Sequence, residues 1–328
     1  MEKMRADANS NTKVNAMIRT VMGDISASSL GAAQCHEHLF IEKGKSYTVN
    51  PALCIDDMEK SVAELSAYRL AGGTALVDAQ PVRCGRMAES LVEASMRTGV
   101  HIVAVTGFHR LLFYEEGGFP VNTTERELAD LFTQEVCEGM LSSDGQRLSA
   151  CAGIVKVAIE TTGVYTDRTS EMLFGAAAQA ASVSGAPVLV HTEPNADIFE
   201  MIDFFGSAGI APRRLIICHM DRTRHDYGYH KEVLSTGAYL CYDSVNRLKY
   251  LSHEQEIAII KAMINAGYEQ QLLLSLDTTR ERLRAYGSSM GLDYILKDFT
   301  TMLKEHDVPA SAIKCMTADN AHNALRLE

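Results

Sequence analysis

The chain has 328 residues, of which 46% are hydrophobic and 22% are charged, a composition typical of soluble globular proteins. This composition excludes a disordered, collagen-like or coiled-coil protein. The 31 basic and 42 acidic residues give a formal net charge of −11 without any long basic block, which argues against nucleic acid or an anionic membrane as the main partner.

The apolar windows and the cysteines indicate the cellular compartment. No apolar window is long enough to span a membrane, and the first 15 residues lack the apolar region of a secretory signal. The eight cysteines are scattered and contain no C-x-x-C pair. We therefore expect a cytoplasmic protein with reduced thiols. We also expect residues 1–17 to form a loose N-terminal segment.

Apolar runs of strand length recur along the chain. Most are rich in Val, Ile, Leu and Ala on both faces, which is typical of buried parallel strands. The eight runs are Ala32–Leu39, Thr74–Gln80, His101–Phe108, Ala152–Ile159, Pro187–Glu193, Leu215–Asp221, Gly237–Ser244 and Gln271–Thr278.

The segments between these runs have helical patterns, and several end at a glycine suited to a helix C-terminus, such as Gly99 and Gly185. The alternation of eight strands with helices, without a Rossmann glycine motif, favours an α/β fold of the (β/α)8 TIM-barrel type. We predict a single barrel domain over residues 18–328, with residues 1–17 as a short extension.

Polar side chains that could bind metal lie within or at the end of these runs. In a (β/α)8 barrel the carboxyl ends of the strands surround the active site, so these side chains would converge. The candidate metal ligands are His36, His38, Lys156, His191, His219 and Asp277.

His36 and His38 lie two residues apart at the end of the first run. Because strand side chains alternate between faces, both imidazoles should face the barrel mouth while Cys35 and Glu37 face the helices. Two such imidazoles can bind one divalent metal ion. A pair of ordinary surface or core histidines is the alternative.

Lys156 lies within an apolar strand, where an ammonium group is costly unless it is compensated. One interpretation is a lysine paired with a buried carboxylate, for which Asp277 is available. The other is a lysine carbamylated by carbon dioxide, which is anionic and can bridge two metal ions. The four histidines and Asp277 favour the second interpretation.

With these motifs in order, the chain resembles the phosphotriesterase family of the amidohydrolase superfamily, particularly its phosphotriesterase-related and lactonase branch. The resemblance extends from about Val21 to Leu325. It rests on Gly31–Phe40 (GAAQCHEHLF), Gly153–Val157 (GIVKV), Val190–Thr192 (VHT), Cys218–Thr223 (CHMDRT) and Leu273–Thr278 (LLSLDT).

The resemblance implies a binuclear metal-dependent hydrolase. His36, His38 and Asp277 would hold the more buried ion, and His191 and His219 the more exposed one. N6-carboxylysine at residue 156 and a hydroxide would bridge two divalent ions, Zn²⁺ or else Mn²⁺, Co²⁺ or Fe²⁺. The hydroxide would attack the substrate while Asp277 accepts the proton. The family also implies a homodimer.

The substrate implied by the branch is a lactone or a carboxylic ester. Cationic residues in the predicted loops around the mouth favour a small anionic substrate, such as a phosphorylated sugar lactone. Lys249 and Arg280 resemble the residues that hold phosphate in that branch, and Arg222 and His109 are further candidate substrate contacts. His109 follows the third strand, close to where many lactonases have a tyrosine.

Other assignments remain open at this stage. Phosphotriester or N-acyl amide hydrolysis could use the same centre, and a mononuclear deaminase would not need Lys156. A non-catalytic metal-bearing binding protein is the alternative from another class. Arg222 could instead pair with Asp221, and Asp78 could orient a ligand histidine or cap a helix. Residues 111–149 could form a flexible cap over the mouth.

Overall fold

The described part of the chain begins one residue before its first strand. A computed structural model describes residues 16–328, so residues 1–15 of the predicted N-terminal segment lie outside it. Met17, the last residue of that segment, begins the first strand.

A β-hairpin covers the amino-terminal end of the barrel. Strand β1 (Met17–Thr20) pairs antiparallel with strand β2 (Gly23–Ser26). Ile18 is fully buried in the core inside the barrel, and the N–H of Val21 donates to the carbonyl of Ile102 at 2.9 Å. The hairpin thus closes the end opposite the predicted active site.

Eight further strands form one parallel sheet in which every strand pairs with its neighbour in sequence. The sheet is nearly closed into a barrel with helices around it, which confirms the predicted (β/α)8 architecture. The strands are β3 (Ala32–Glu37), β4 (Gly73–Asp78), β5 (His101–Gly107), β6 (Ile154–Ile159), β7 (Val188–Thr192), β8 (Leu215–Cys218), β9 (Tyr239–Tyr242) and β10 (Leu272–Leu274).

The first and last barrel strands meet through Ser275, which directly follows β10, and Asp277, which lies two residues further along the chain. The Ser275 hydroxyl oxygen accepts hydrogen bonds from the N–H groups of Cys35 and His36, at 2.7 and 2.9 Å. The N–H of Asp277 donates to the carbonyl of His36 at 3.1 Å. This junction places Asp277 beside the predicted histidine pair.

A β-bulge in β3 sets the direction of the two histidines. Gln34 pairs with Leu76 and Glu37 pairs with Asp78, so β3 has one residue more than β4 between these pairs. The extra residue reverses the alternation of side chains. Cys35 therefore lies in the core inside the barrel, and the prediction that it faces the helices is wrong.

The helices cover the outside of the barrel. Those of eight or more residues are α2 (Met58–Leu70), α3 (Ala88–Thr98), α4 (Glu125–Cys137), α5 (Arg168–Ser184), α6 (Ile198–Ser207), α8 (Tyr227–Ser235) and α9 (His253–Asn265). Shorter helices are α1 (Lys45–Val49), α7 (Met220–Thr223), α10 (Thr300–Glu305), α11 (Ala310–Lys314) and α12 (Asn320–Ala324).

Local sequence explains where several of these helices start and stop. Thr124 with Glu127 and Ser252 with Gln255 form capping boxes at the starts of α4 and α9. Helices α3 and α5 end at Gly99 and Gly185, both left-handed with φ near 70°, as the sequence predicts. Of the helices in the described range, none is long and apolar enough to cross a membrane.

The segment 111–149 is not a single flexible cap. Its central part is α4, a barrel helix that buries Leu128 and Phe132 in the outer core. Helix α4 is amphipathic, and burial of its apolar face against the barrel stabilises it. Within this segment, the part before α4 reaches the mouth, where Phe113 lines a cavity together with His36 and His38.

Candidate active site

All six predicted metal ligands lie at the carboxyl end of the barrel or point into it. Apolar residues precede each of them on a buried strand, so the strand register fixes where the polar group emerges. The elements are β3 for His36, the residue directly after β3 for His38, β6 for Lys156, β7 for His191, and the segments that follow β8 and β10 for His219 and Asp277.

Asp277 lies beside the histidine pair of β3. Its Oδ1 atom is 3.7 Å from Nε2 of His36 and 3.6 Å from Nε2 of His38. Zinc–ligand bonds of about 2.0–2.2 Å place two ligands of one ion roughly 3–4 Å apart, so these three atoms have the spacing of a shared ion. One ligand atom each of His36, His219 and Asp277 also fall within 4.8 Å of one another.

His191 and His219 form the second pair. Nδ1 of His191 and Nε2 of His219 are 2.8 Å apart, which is a hydrogen-bond distance. An ion between these two atoms would require the rings to separate by several tenths of an ångström. Burial lowers the pKa of His191 to about 4 and that of His219 well below its ordinary value, so both imidazoles are neutral at pH 7, as metal binding requires.

The Lys156 side chain is completely buried inside the barrel. Its Nζ atom donates a hydrogen bond to the carbonyl of Ala79 at 2.6 Å. Burial lowers the pKa of Lys156, while the Asp277 carboxylate partly opposes that shift. The ammonium is close enough to His36 and His191 to lower their pKa values as well.

Two carboxylates that the sequence analysis did not select contact these histidines. Asp243, directly after β9, is fully buried and accepts a hydrogen bond from Nδ1 of His219 at 2.6 Å. Glu193 lies 2.9 Å from Nε2 of His191. Both follow apolar runs as the selected ligands do, so the same strand-end signal could have found them.

Two arginines hold the other oxygen of Asp277. Arg222 donates from Nη1 to Oδ2 at 2.7 Å, and Nη2 of Arg247 lies 3.3 Å from the same oxygen. Burial alone would raise the pKa of Asp277, but Arg247 and Arg222 hold it well below its ordinary value. The alternative pairing of Arg222 with Asp221 is therefore wrong for its guanidinium group, because only the backbone N–H of Arg222 bonds to Asp221.

A cavity of about 310 Å³ opens over these residues. Its wall combines four cationic side chains, two carboxylates and an apolar side that includes Ile41 and Phe113. The cationic side chains are Arg110, Arg222, Arg247 and Lys249, and the carboxylates are Glu193 and Asp277. On a chain of net charge −11, this local excess of positive charge attracts anions into the cavity.

The predicted substrate contacts are only partly brought together. His109, Arg222 and Lys249 line the cavity, and the ring of His109 is 4.6 Å from that of His191. Arg280 is not among the lining residues, because the short 3-10 turn it begins directs its guanidinium over the ring of Tyr286 at 5.5 Å. The prediction that Arg280 contacts substrate is therefore not supported by its position.

Asp78 has neither of the two roles considered for it. Its carboxylate accepts hydrogen bonds from the N–H groups of Leu39, at 2.7 Å, and Gln80, at 3.2 Å. It therefore fixes the backbone directly after His38 rather than the imidazole itself or a helix end. The hydroxyl of Thr278 accepts from the N–H of His38 at 2.9 Å and holds the same backbone from the other side.

The structure has the arrangement of a barrel enzyme. Its eight parallel strands form the barrel, and imidazoles and carboxylates line a cavity at their carboxyl ends. The phosphotriesterase family model matches residues 16–325. The chain therefore belongs to the phosphotriesterase family.

Named relatives agree with this assignment. The chain is 28% identical to a phospho-furanose lactonase from Mycoplasmopsis synoviae, covering 96% of this chain and 93% of that protein. It is 25% identical to an N-acetyltaurine hydrolase from Danio rerio, covering 94% and 97%. A lactonase structure from Listeria monocytogenes superimposes with a TM-score of 0.86 at 28% identity, covering 95% and 100%. The chain is thus a hydrolytic enzyme, which disfavours the non-catalytic alternative.

Proposed function

We propose that the chain is a binuclear metal-dependent lactonase that acts on a small anionic lactone, such as a phosphorylated sugar lactone. The observation that carries the proposal is that a group of possible metal-ligand atoms lies beside a set of cationic side chains. Imidazole and carboxylate ligand atoms of His36, His219 and Asp277 gather within 4.8 Å, and cationic side chains line the cavity into which His36 and Asp277 open. Names of relatives at 28% identity support the lactone as substrate.

The residues would divide between two divalent ions, for which zinc suits the imidazole and carboxylate ligands. His36, His38 and Asp277 would hold one ion, and His191 and His219 the other, with Lys156 shared after carbamylation. In that reaction the neutral Lys156 amine bonds to carbon dioxide and loses a proton; burial, which lowers its pKa, favours the neutral amine. Two such ions lower the pKa of water and polarise a carbonyl oxygen.

Protein side chains would bind the substrate and manage the proton. Lys249 lines the cavity, and its Nζ atom lies 4.6 Å from the Tyr250 ring centre. It would bind the phosphate as a flexible point charge. Asp277 faces the imidazoles, and its carboxylate would accept the proton. Because Arg222 and Arg247 stabilise the charged carboxylate, Asp277 would pass that proton on rather than retain it.

The decisive experiment is a hydrolysis screen of the purified chain with metal content measured on the same samples. The panel contains phosphorylated and plain sugar lactones, carboxylic esters, phosphotriesters and N-acetyltaurine. We expect two divalent ions per chain and the highest kcat/KM on a phosphorylated lactone. Faster hydrolysis of N-acetyltaurine would instead favour the amide-hydrolase alternative, which the relative from Danio rerio supports.

A further inference from the structure

We propose that Asp243 is a positioning residue that orients one histidine of each proposed metal ion. This inference rests on the proposed function, because it assumes that the histidines bind two ions. Asp243 itself touches neither substrate nor ion in this proposal. It would act through His36 and His219, which come from different strands of the barrel.

The two oxygens of Asp243 face two different imidazoles. Oδ1 accepts a hydrogen bond from Nδ1 of His219 at 2.6 Å. Oδ2 lies 3.1 Å from Nδ1 of His36, a close contact whose angle falls short of a hydrogen bond. Oδ2 also accepts from the backbone N–H of His219 at 3.3 Å. One carboxylate therefore bridges the ends of β3 and β8.

Burial of Asp243 increases the energetic importance of these contacts. Asp243 is 0% exposed, and among residues 16–328 it forms no ion pair with a lysine or arginine. A buried carboxylate without hydrogen-bond donors is costly, and besides the backbone N–H of His219 the two imidazoles are the groups that can compensate Asp243. Both can donate to Asp243 only if each carries its proton on Nδ1.

The required tautomer leaves Nε2 of both rings free to bind metal. Nε2 of His36 faces Oδ1 of Asp277 at 3.7 Å, whereas Nε2 of His219 faces Nδ1 of His191 at 2.8 Å. These atoms belong to the two different ligand groups of the proposed centre. Asp243 would thus fix ring orientation and protonation in both groups at once, as carboxylates behind metal-bound histidines do.

Glu193 provides a matched control within the same chain. Its Oε1 atom lies 2.9 Å from Nε2 of His191, and the same atom is 2.9 Å from Nη1 of Arg110. Glu193 contacts only one of the ligand histidines, so its removal should affect only the ion that His191 binds.

The test compares Asp243→Asn with Glu193→Gln. Each variant is freed of metal with a chelator and then titrated with zinc, and the affinity and number of bound ions are measured. The amide that Asp243→Asn introduces cannot accept from both rings, so we expect affinity for both ions to fall about 10–100-fold. Glu193→Gln should weaken one ion only. Two ions bound with wild-type affinity by Asp243→Asn, or loss of a single ion as in the control, would overturn the inference.

A measurement on the unmodified chain keeps the inference testable if Asp243→Asn fails to fold. Nitrogen-15 NMR of the zinc-loaded protein should show His36 and His219 protonated on Nδ1. Protonation of either ring on Nε2 contradicts the proposed role of Asp243. Failure of the proposed function has a different signature, because the wild-type chain would then bind no stoichiometric divalent ions or hydrolyse none of the panel.

Discussion

Replacing Lys156 with methionine should stabilise the metal-free protein while abolishing hydrolysis. The Lys156 side chain is completely buried, and within residues 16–328 its only hydrogen bond is to the carbonyl of Ala79. Removing a buried charge recovers several kcal/mol of desolvation free energy. The carbonyl of Ala79 loses its donor, which costs about 1–3 kcal/mol. We therefore expect the free energy of unfolding to rise by about 1–2 kcal/mol.

The assay has two parts because stability and activity should change in opposite directions. Urea denaturation after chelation measures the free energy of unfolding, and Lys304→Met, at an exposed lysine, controls for the loss of a charge. Lactone hydrolysis after reloading with zinc should fall about 100-fold or more, since the change removes a group that both ions would share.

Two results would refute this reasoning. A metal-free Lys156→Met chain that is less stable than wild type would show that the ammonium is well compensated in the folded barrel. Full hydrolysis with a single ion per chain would show that Lys156 is not shared between ions, and would favour the mononuclear alternative.

Three further predictions concern the cavity, the core and pH. Lys249→Ala should raise KM for a phosphorylated lactone about 10-fold or more, because a charge-assisted contact is lost, and should leave KM for the neutral counterpart nearly unchanged. Steady-state kinetics on both substrates measures the two KM values. Equal effects on both would show that Lys249 does not bind the phosphate. Glu135→Gln should lower the free energy of unfolding by about 3–5 kcal/mol, since it leaves Arg86 buried without its bidentate partner. Chemical denaturation measures this loss, and an unchanged midpoint contradicts it. Burial raises the pKa of Glu64 above its ordinary 4.5, so the Glu64 carboxyl binds a proton more readily in the folded state than in the unfolded state. The free energy of unfolding should therefore fall as pH rises from the ordinary pKa of Glu64 through its raised pKa. Glu64→Gln should flatten this part of the stability–pH profile, and an unaltered slope would assign the dependence to other groups.

The sequence determined the strands of this barrel to a large extent. Each barrel strand in the structure lies within an apolar run predicted from the hydrophobic pattern, except that β4 begins at Gly73, one residue before its run. Some strands are much shorter than their runs, such as Leu272–Leu274 within Gln271–Thr278. Runs apolar on both faces can be satisfied only between two layers, and a parallel sheet covered by helices provides them. Gly99 and Gly185 end their helices because they adopt left-handed conformations at low cost.

The strand-end pattern also selected the residues that the barrel gathers. His36, His191 and Asp277 each follow apolar residues on their strands, and a parallel barrel brings all such ends to one side. The pattern cannot say which way a side chain points once a bulge intervenes. The prediction for Cys35 failed for that reason, because the additional residue in β3 reverses the alternation.

Only the tertiary structure decided which residues support the centre. Nothing in the local sequence indicates that Asp243 reaches both His36 and His219, because that contact depends on the curvature of a sheet that brings β9 close to both of their strands. Nor does the sequence distinguish Arg247, which contacts Asp277, from Arg280, which a short turn directs elsewhere. Strand identity follows from local hydrophobic pattern, whereas contacts between loops depend on distances that exist only after the barrel has closed.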